Sequence, residues 1–233
     1  MAASLSVQRL SGYGLRRAIV AGIHRLVSRR DELNRINVFP VPDGDTGTNL
    51  AFTLSAVLVG MRAPRLSSAG EVLRRAAAEA IDGARGNSGA IMAQFLQGIS
   101  EALGPSKWVT PETMARAVSM GSRLAREAMA DPREGTILSV IQAFAQDWRN
   151  QVEQGVHDFR SSFLHALEVA REALRRTPEQ LAVLRAAGVV DAGARGFVDF
   201  LEGIADYMET GRDVVTEVSS EELVEDGVDL ATL

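Results

Sequence analysis

Asn37-Val38-Phe39-Pro40-Val41-Pro42-Asp43-Gly44-Asp45-Thr46-Gly47-Thr48-Asn49 runs without a break into the apolar series Leu50, Ala51, Phe52, Leu54, Ala56, Val57, Leu58 and Val59. A stiff acidic loop feeding an apolar helix is the pattern on which both fold and chemistry turn. Pro40 and Pro42 fix their own φ angles and push Phe39 and Val41 toward extended backbone, so the approach is rigid. Asp43 and Asp45 stand two apart, a spacing that diverges on a helix and converges only from a strand or tight turn; Gly44 favours the turn. Two carboxylates held this way suit magnesium, a hard cation gripped by one or two protein carboxylates while water and phosphate complete its shell. Thr46 or Thr48 is placed to cap the following helix, whose free N–H groups would favour an anion. A solvated turn joined to a capped helix satisfies the same residues without any ligand. The spaced acids and closing Glu of an EF-hand loop are missing.

The pattern recurs three times. Gly83-Ala84-Arg85-Gly86-Asn87-Ser88-Gly89 leads into Ala90, Ile91, Met92, Ala93, Phe95, Leu96 and Ile99, with Asn87 or Ser88 as cap. A helix that is apolar almost all round is predicted to be buried on most sides. Glu134-Gly135-Thr136 precedes Ile137, Leu138, Val140 and Ile141, and Asp191-Ala192-Gly193-Ala194-Arg195-Gly196 precedes Phe197, Val198, Phe200 and Leu201. Each start has an ordinary reading as a capped helix–helix turn beside the ligand-binding one. Helical periodicity predicts further elements, giving helices over about 5–30, 47–60, 68–82, 88–103, 111–129, 134–150, 158–175, 178–187 and 194–209. Alternating β-branched runs are largely absent. Pro111 and Pro178 suit first helical turns, with Thr110 and Thr177 as N-caps. Short connections predict antiparallel neighbours, hence an all-α up-and-down bundle. Alternate loops of such a bundle emerge at one end, so several glycine-containing helix starts can surround one anionic ligand. Residues 1–210 read as one domain, and the acidic, aperiodic segment 211–233 as a linker or tail.

At 233 residues and 46% hydrophobic content the chain can bury a sizeable core. A net charge of −5 without a basic block argues against general nucleic-acid binding. There is no cysteine, which excludes disulfides, thiolate catalysis and cysteine zinc sites. No secretion signal or bilayer-length apolar run is present, so a cytoplasmic location is expected. Lys107 is the single lysine among 25 basic residues, which removes the P-loop and the protein-kinase strand lysine. His24, His157 and His165 show no ligand spacing and read as satisfied or surface residues. Gly86-Asn87-Ser88-Gly89 lacks the Gly-x-Ser-x-Gly order of a nucleophile elbow.

Taken together, the Asn37–Asn49, Gly83–Gly89 and Glu134-Gly135-Thr136-Ile137-Leu138 blocks and Gly188-Val189-Val190-Asp191-Ala192-Gly193 resemble the nucleotide-binding domain of bacterial fatty acid kinases. That domain is similar to the L subunit of dihydroxyacetone kinase. The resemblance covers about residues 5 to 210 and implies an antiparallel barrel of eight helices with ATP and magnesium at one end. It implies that Asp43 and Asp45 hold magnesium and serve transfer, with Asn37 as a further ligand. It places the phosphates near Thr46, Thr48, Asn49, Asn87 and Ser88, with Gly47, Gly86, Gly135 and Thr136 in the same helix starts. Asp191, Ala192 and Gly193 fall beside the nucleotide. Ala194 stands where relatives commonly have glycine, and Asp131 where a basic residue is frequent. Complete fatty acid kinases carry further domains after this one. The implied activity is phosphorylation of a fatty acid supplied by a separate fatty-acid-binding (DegV-like) protein. The alternatives are a glycerone-type kinase domain and a nucleotide-binding module without transfer activity. A homodimer is compatible with the chain.

Overall fold

Helix starts in this protein are set by side chains that take up amides with no intrahelical partner. In the computed structural model, which describes residues 9–62 and 67–210, Ser11 accepts from Gly14 N and opens α1 (Gly12–Ser28). Ser68 and Glu71 form a reciprocal capping box at α4 (Ala69–Asp82). Thr110 and Thr113 do the same at α6 (Pro111–Glu127), with Pro111 at its first turn as expected. Thr136 opens α7 (Ile137–Glu153) and Asp158 opens α8 (Phe159–Arg175). Asp191 Oδ1 accepts from Ala194 N at 2.8 Å and opens α11 (Ala192–Thr210). The remaining two long helices, α3 (Thr46–Met61) and α5 (Gly86–Leu103), have no side-chain cap from their own N-cap residue.

Shorter elements fill the connections. A two-residue strand β1 (Leu10–Ser11) pairs antiparallel with β2 (Trp108–Val109). The helix α2 (Arg30–Arg35) precedes the acidic loop, and α9 (Thr177–Gln180) and α10 (Ala182–Ala187) lie between α8 and α11. The structure corrects several sequence expectations. Asp45 rather than Thr46 or Thr48 is the N-cap of α3, and Arg85 rather than Asn87 or Ser88 that of α5. Thr177 lies inside α9, where its hydroxyl donates to Leu174 O instead of capping. The expected helix over about 178–187 is two short pieces, because Leu181 is extended with φ −126° and ψ 110°. The first helix starts at Gly12; the portion expected from residue 5 to 8, and the tail at 211–233, lie outside the described residues.

The eight long helices close into a ring. Along the chain, α3 packs on α4, α4 on α5, α5 on α6, α6 on α7 and α7 on α8. Then α8 packs on α11, α11 on α1 and α1 on α3, which returns the ring to its start. This is the expected all-α antiparallel barrel of eight helices. Its interior is an aromatic core in which Phe144 meets Trp148, Phe163 and Phe197 edge-to-face, with ring centroids 5.6–6.0 Å apart. A small apolar cavity of about 70 Å³ remains within it. Where α5 crosses α6, a Cβ on Gly98 would come within 2.7 Å of Gly121 Cα, so the two backbones touch through glycine. In an up-and-down ring the starts of α3, α5, α7 and α11 share one end. The strand pair lies at the other end, where Ala69 N and Gly70 N donate to Lys107 O and Ser106 O.

Candidate nucleotide site at the barrel mouth

The four helix starts singled out from sequence meet around a pocket of about 430 Å³. Thr46 lines it from α3, Asn87 and Ser88 from α5, Thr136 and Ile137 from α7, and Asp191 and Gly193 from α11. Its volume suits a ligand of nucleotide size. Phe39 and Pro40 of the stiff loop also line it, joined by a cis peptide bond. The Asp43-Gly44-Asp45 turn lies in the loop between the lining residues Pro40 and Thr46.

Asn37 builds that turn. Only 5% exposed, it accepts through Oδ1 from Asp45 N, Thr46 N and Thr46 Oγ1 at 3.2, 3.2 and 2.9 Å. Its Nδ2 donates to Phe39 O and Val41 O, so both ends of the loop hang on one amide group. Its oxygen thus takes three donors within the loop, and the metal role implied for Asn37 would require it to give up part of this bonding. Asn34 on α2 does the same work one turn along: Oδ1 accepts from Thr48 N at 3.0 Å, and Nδ2 donates to Thr48 Oγ1 at 2.9 Å. Gly44 has φ +68°, a left-handed geometry that suits glycine. Asp43 and Asp45 are exposed, and neither carboxylate has a hydrogen-bond or ion-pair partner among the described residues. No group of three or more His, Cys, Asp or Glu that could hold a metal occurs among those residues. Two free carboxylates in this loop match the donor set of magnesium shared with a phosphate.

The start of α5 is the opening for an anion. The amides of Gly86, Asn87 and Ser88 have no hydrogen-bond partner among the described residues. Arg85 N donates to Thr53 Oγ1 at 3.1 Å, which itself donates to Asn49 O, and this pins the turn to α3. The Arg85 guanidinium lies 3.8 Å from the centroid of the Phe52 ring. Gly86 has φ +58°, and a Cβ there would come within 2.5 Å of Asn49 Nδ2.

The starts of α7 and α11 share one carboxylate of the chain itself. Asp191 Oδ1 accepts from Ile137 N at 2.9 Å as well as from Ala194 N. Burial pushes the Asp191 carboxyl up to about 6, against the pull of those two N–H donors. Gly135 packs against Thr177 O and Gln180. Hydrogen bonds from Ser139 and Arg126 hold the adjacent Glu134 below the usual carboxylate range. Gly47 is packed on Arg30 O of α2, and Ala192 is buried. Gly47, Thr48, Gly86, Gly135 and Ala192 thus shape the site from behind, and Asn49 braces the α5 turn. Sequence reasoning missed the apolar wall of Ile91, Met129, Leu138 and Leu181, and it noted Asp131 without its pairing to Arg133, whose nitrogen stands 2.5 Å from the carboxylate oxygen. Apart from Leu138, which closes the Glu134–Leu138 block, these come from helices and loops without a motif. Of the histidines, His157 and His165 are exposed and paired with Glu112 and Asp147.

A family model described as the DAK2 domain matches residues 40–206. Protein YloV of Bacillus subtilis is 34% identical over 199 residues, covering 85% of this chain and 36% of that protein. An uncharacterized protein of Staphylococcus epidermidis is 33% identical over 197 residues, covering 84% of this chain and 36% of its own length. The chain thus spans about a third of the curated relatives it matches. Among solved structures, the dihydroxyacetone kinase from C. freundii in complex with AMP-PNP and Mg2+ superposes with a TM-score of 0.63 at 17% identity, covering 88% of this chain and 36% of that one. Its native form gives a TM-score of 0.58. No helix among the described residues is long and apolar enough to cross a membrane.

Proposed function

The chain belongs to the DAK2 domain family, and from that premise we propose that it is the nucleotide domain of an ATP- and magnesium-dependent phosphotransferase, with a fatty-acid carboxylate as acceptor. What supports this is a pocket lined by Thr46, Asn87, Ser88 and Gly193, with the unpaired carboxylates of Asp43 and Asp45 in the loop between its lining residues Pro40 and Thr46. Asp43 and Asp45 would hold the magnesium ion, which neutralises phosphate charge when bound. The amides of Gly86, Asn87 and Ser88 receive phosphate oxygens, aided by the positive end of the α5 dipole. The apolar wall of Ile91, Met129, Leu138 and Leu181 receives the base. An acceptor carboxylate oxygen attacks the γ-phosphorus, the bond to the β-phosphate oxygen breaks, and ADP and an acyl phosphate result. A carboxylic acid of pKa about 4.3 is already ionised at neutral pH, so the acceptor has no proton to lose. A pocket whose lining includes no histidine or lysine fits that chemistry. The acceptor would arrive on a fatty-acid-binding (DegV-like) partner.

The alternative acceptor is dihydroxyacetone, favoured by the likeness to the C. freundii kinase. ATP consumption by the purified chain is to be measured with lipid-loaded partner and, separately, with dihydroxyacetone. Turnover with dihydroxyacetone alone would replace the acceptor named here, and binding without turnover in either would make the chain a nucleotide-binding module. Asp43→Asn and Asp45→Asn are each expected to weaken magnesium-dependent ATP binding by about tenfold, roughly one charge-assisted ligand, with unchanged helical circular dichroism. Unchanged magnesium-dependent affinity in both would end the metal role.

A further inference from the structure

Resting on that nucleotide reading, we propose that Asp191 is the positioning residue of the site, one buried carboxylate oxygen that straps the start of α7 to the start of α11 and holds their pocket wall toward α5. The two amides on Asp191 Oδ1, Ile137 N at 2.9 Å and Ala194 N at 2.8 Å, belong to different helices. Asp191 is only 5% exposed. Its own backbone is fixed as well: Asp191 N donates to Thr177 Oγ1 at 3.1 Å, and that hydroxyl donates to Leu174 O at 2.8 Å. One residue thereby references α7, α11 and the end of α8 to one another.

The strap has a second effect. A free helix start attracts an anion, and at α7 and α11 the anion is already part of the chain. Among the described residues the first three amides of α5 are unpaired, as are those of Ala192 and Gly193 on α11, and the strapped wall faces α5 across a short gap. A Cβ on Gly193 would lie 3.3 Å from Ser88 Oγ, which measures how closely α11 approaches α5.

Charged neighbours do not compete for this role. On α11, Arg195 turns to Asp199; before α7, Glu134 is held by Ser139 and Arg126; across the pocket, Asp131 and Arg133 pair with each other. On the α9–α10 side, Arg185 donates to Pro178 O and Glu179 O. The buried carboxyl, raised to about 6, supplies a handle for testing the strap.

Amide resonances of Ile137 and Ala194 in the full chain are to be followed from pH 4.5 to pH 7.5, in wild type and in Asp191→Asn. Both amides are expected to shift with one midpoint near 6 in wild type and to stay flat in the variant. Different midpoints, or persistence of the transition in Asp191→Asn, would overturn the strap. Calorimetry with magnesium and ATP then separates positioning from mere stability. Asp191→Ala is expected to lose about tenfold in affinity, and Asp191→Asn, which keeps an acceptor oxygen, to stay within about threefold. Wild-type affinity in Asp191→Ala, or equal loss in both variants, would remove the positioning role; if Asp191→Ala does not fold, wild-type against Asp191→Asn decides. Failure of the wild type to bind ATP would sink the nucleotide reading instead, and the amide titration would still decide whether the strap exists.

Discussion

Asn37 makes five hydrogen bonds from one buried amide group, all to the acidic loop and the first residue of α3. Asn37→Ala strips the acceptor from two backbone amides and a hydroxyl at the mouth of α3. Leaving such groups unpaired is expected to cost about 2 kcal/mol, read by urea denaturation. Asn37→Asp keeps the acceptor and loses only the two donated bonds, so its loss should be smaller; an equal loss would place the role elsewhere. Asp191 has the opposite energetic character. A carboxyl raised from 3.8 to about 6 on folding binds more protons in the native than in the unfolded chain between those values. Its contribution to stability therefore falls as pH rises from about 4 to about 6. Asp191→Asn should flatten that part of the profile and, at pH 7, be more stable than wild type by as much as about 3 kcal/mol. Parallel wild-type and variant profiles would contradict the buried-charge cost. Asp43-Gly44-Asp45 was legible as a turn with two outward carboxylates because residues two apart carry that geometry locally. The roles of Asn34 and Asn37 were not legible, since their partners Thr48 and Thr46 are defined only when α2 folds back on α3.

At the scale of the element, apolar periodicity placed the long helices, because a buried stripe repeats every three to four residues whatever the tertiary context. It did not place α2, and it ran α9 and α10 together as one helix, because pieces of 6, 4 and 6 residues are too short to show a period of their own. The β1–β2 pair escaped for the same reason, being two residues a side. Caps were legible where the side chain serves its own helix, as at Thr110 and Pro111, and illegible at α3, where remote asparagines do the capping. What sequence cannot rank is which amides of four similar starts are taken within the chain; Ile137 N is taken because Asp191 reaches it across 54 positions of chain. The α5–α6 contact makes its own prediction. A Cβ on Gly121 would lie 2.6 Å from Phe95 O and 2.8 Å from the Phe95 ring, with backbone on both sides of the gap. Gly121→Val must part the two helices and is expected to cost about 3 kcal/mol or more in denaturant unfolding. A loss under about 0.5 kcal/mol, the level of an exposed substitution, would show that the helices cross farther apart than described here.

The whole molecule depends on a closure that no local pattern announces: α1 must find α11, the first and last long helices of the ring. Gly22 and Gly203 allow that approach, and Glu202 fastens it. This residue of α11 accepts from Arg25 of α1 at 2.6 Å and from Arg171 of α8 at 2.9 Å, so it joins three neighbouring staves of the barrel. Burial by itself would raise the Glu202 carboxyl, but the hydrogen bonds and charges of Arg25 and Arg171 outweigh it and bring the carboxyl below its ordinary value. A carboxyl lowered on folding contributes stability that is present above its unfolded pKa and is lost as pH falls through the folded one. Glu202→Gln should therefore destabilise the barrel at pH 7 by about 1–2 kcal/mol, the worth of charge-assisted bonds between partly exposed groups. The difference from wild type should shrink on acidification, as pH falls below the ordinary carboxylate value and through the lowered native one. If closure of the ring is the last step of folding, the same substitution should speed unfolding more than it slows refolding. Stopped-flow rates in urea check this: a slower refolding limb with an unchanged unfolding limb would mean that α1 and α11 meet early, and that the barrel is built from its seam rather than closed by it.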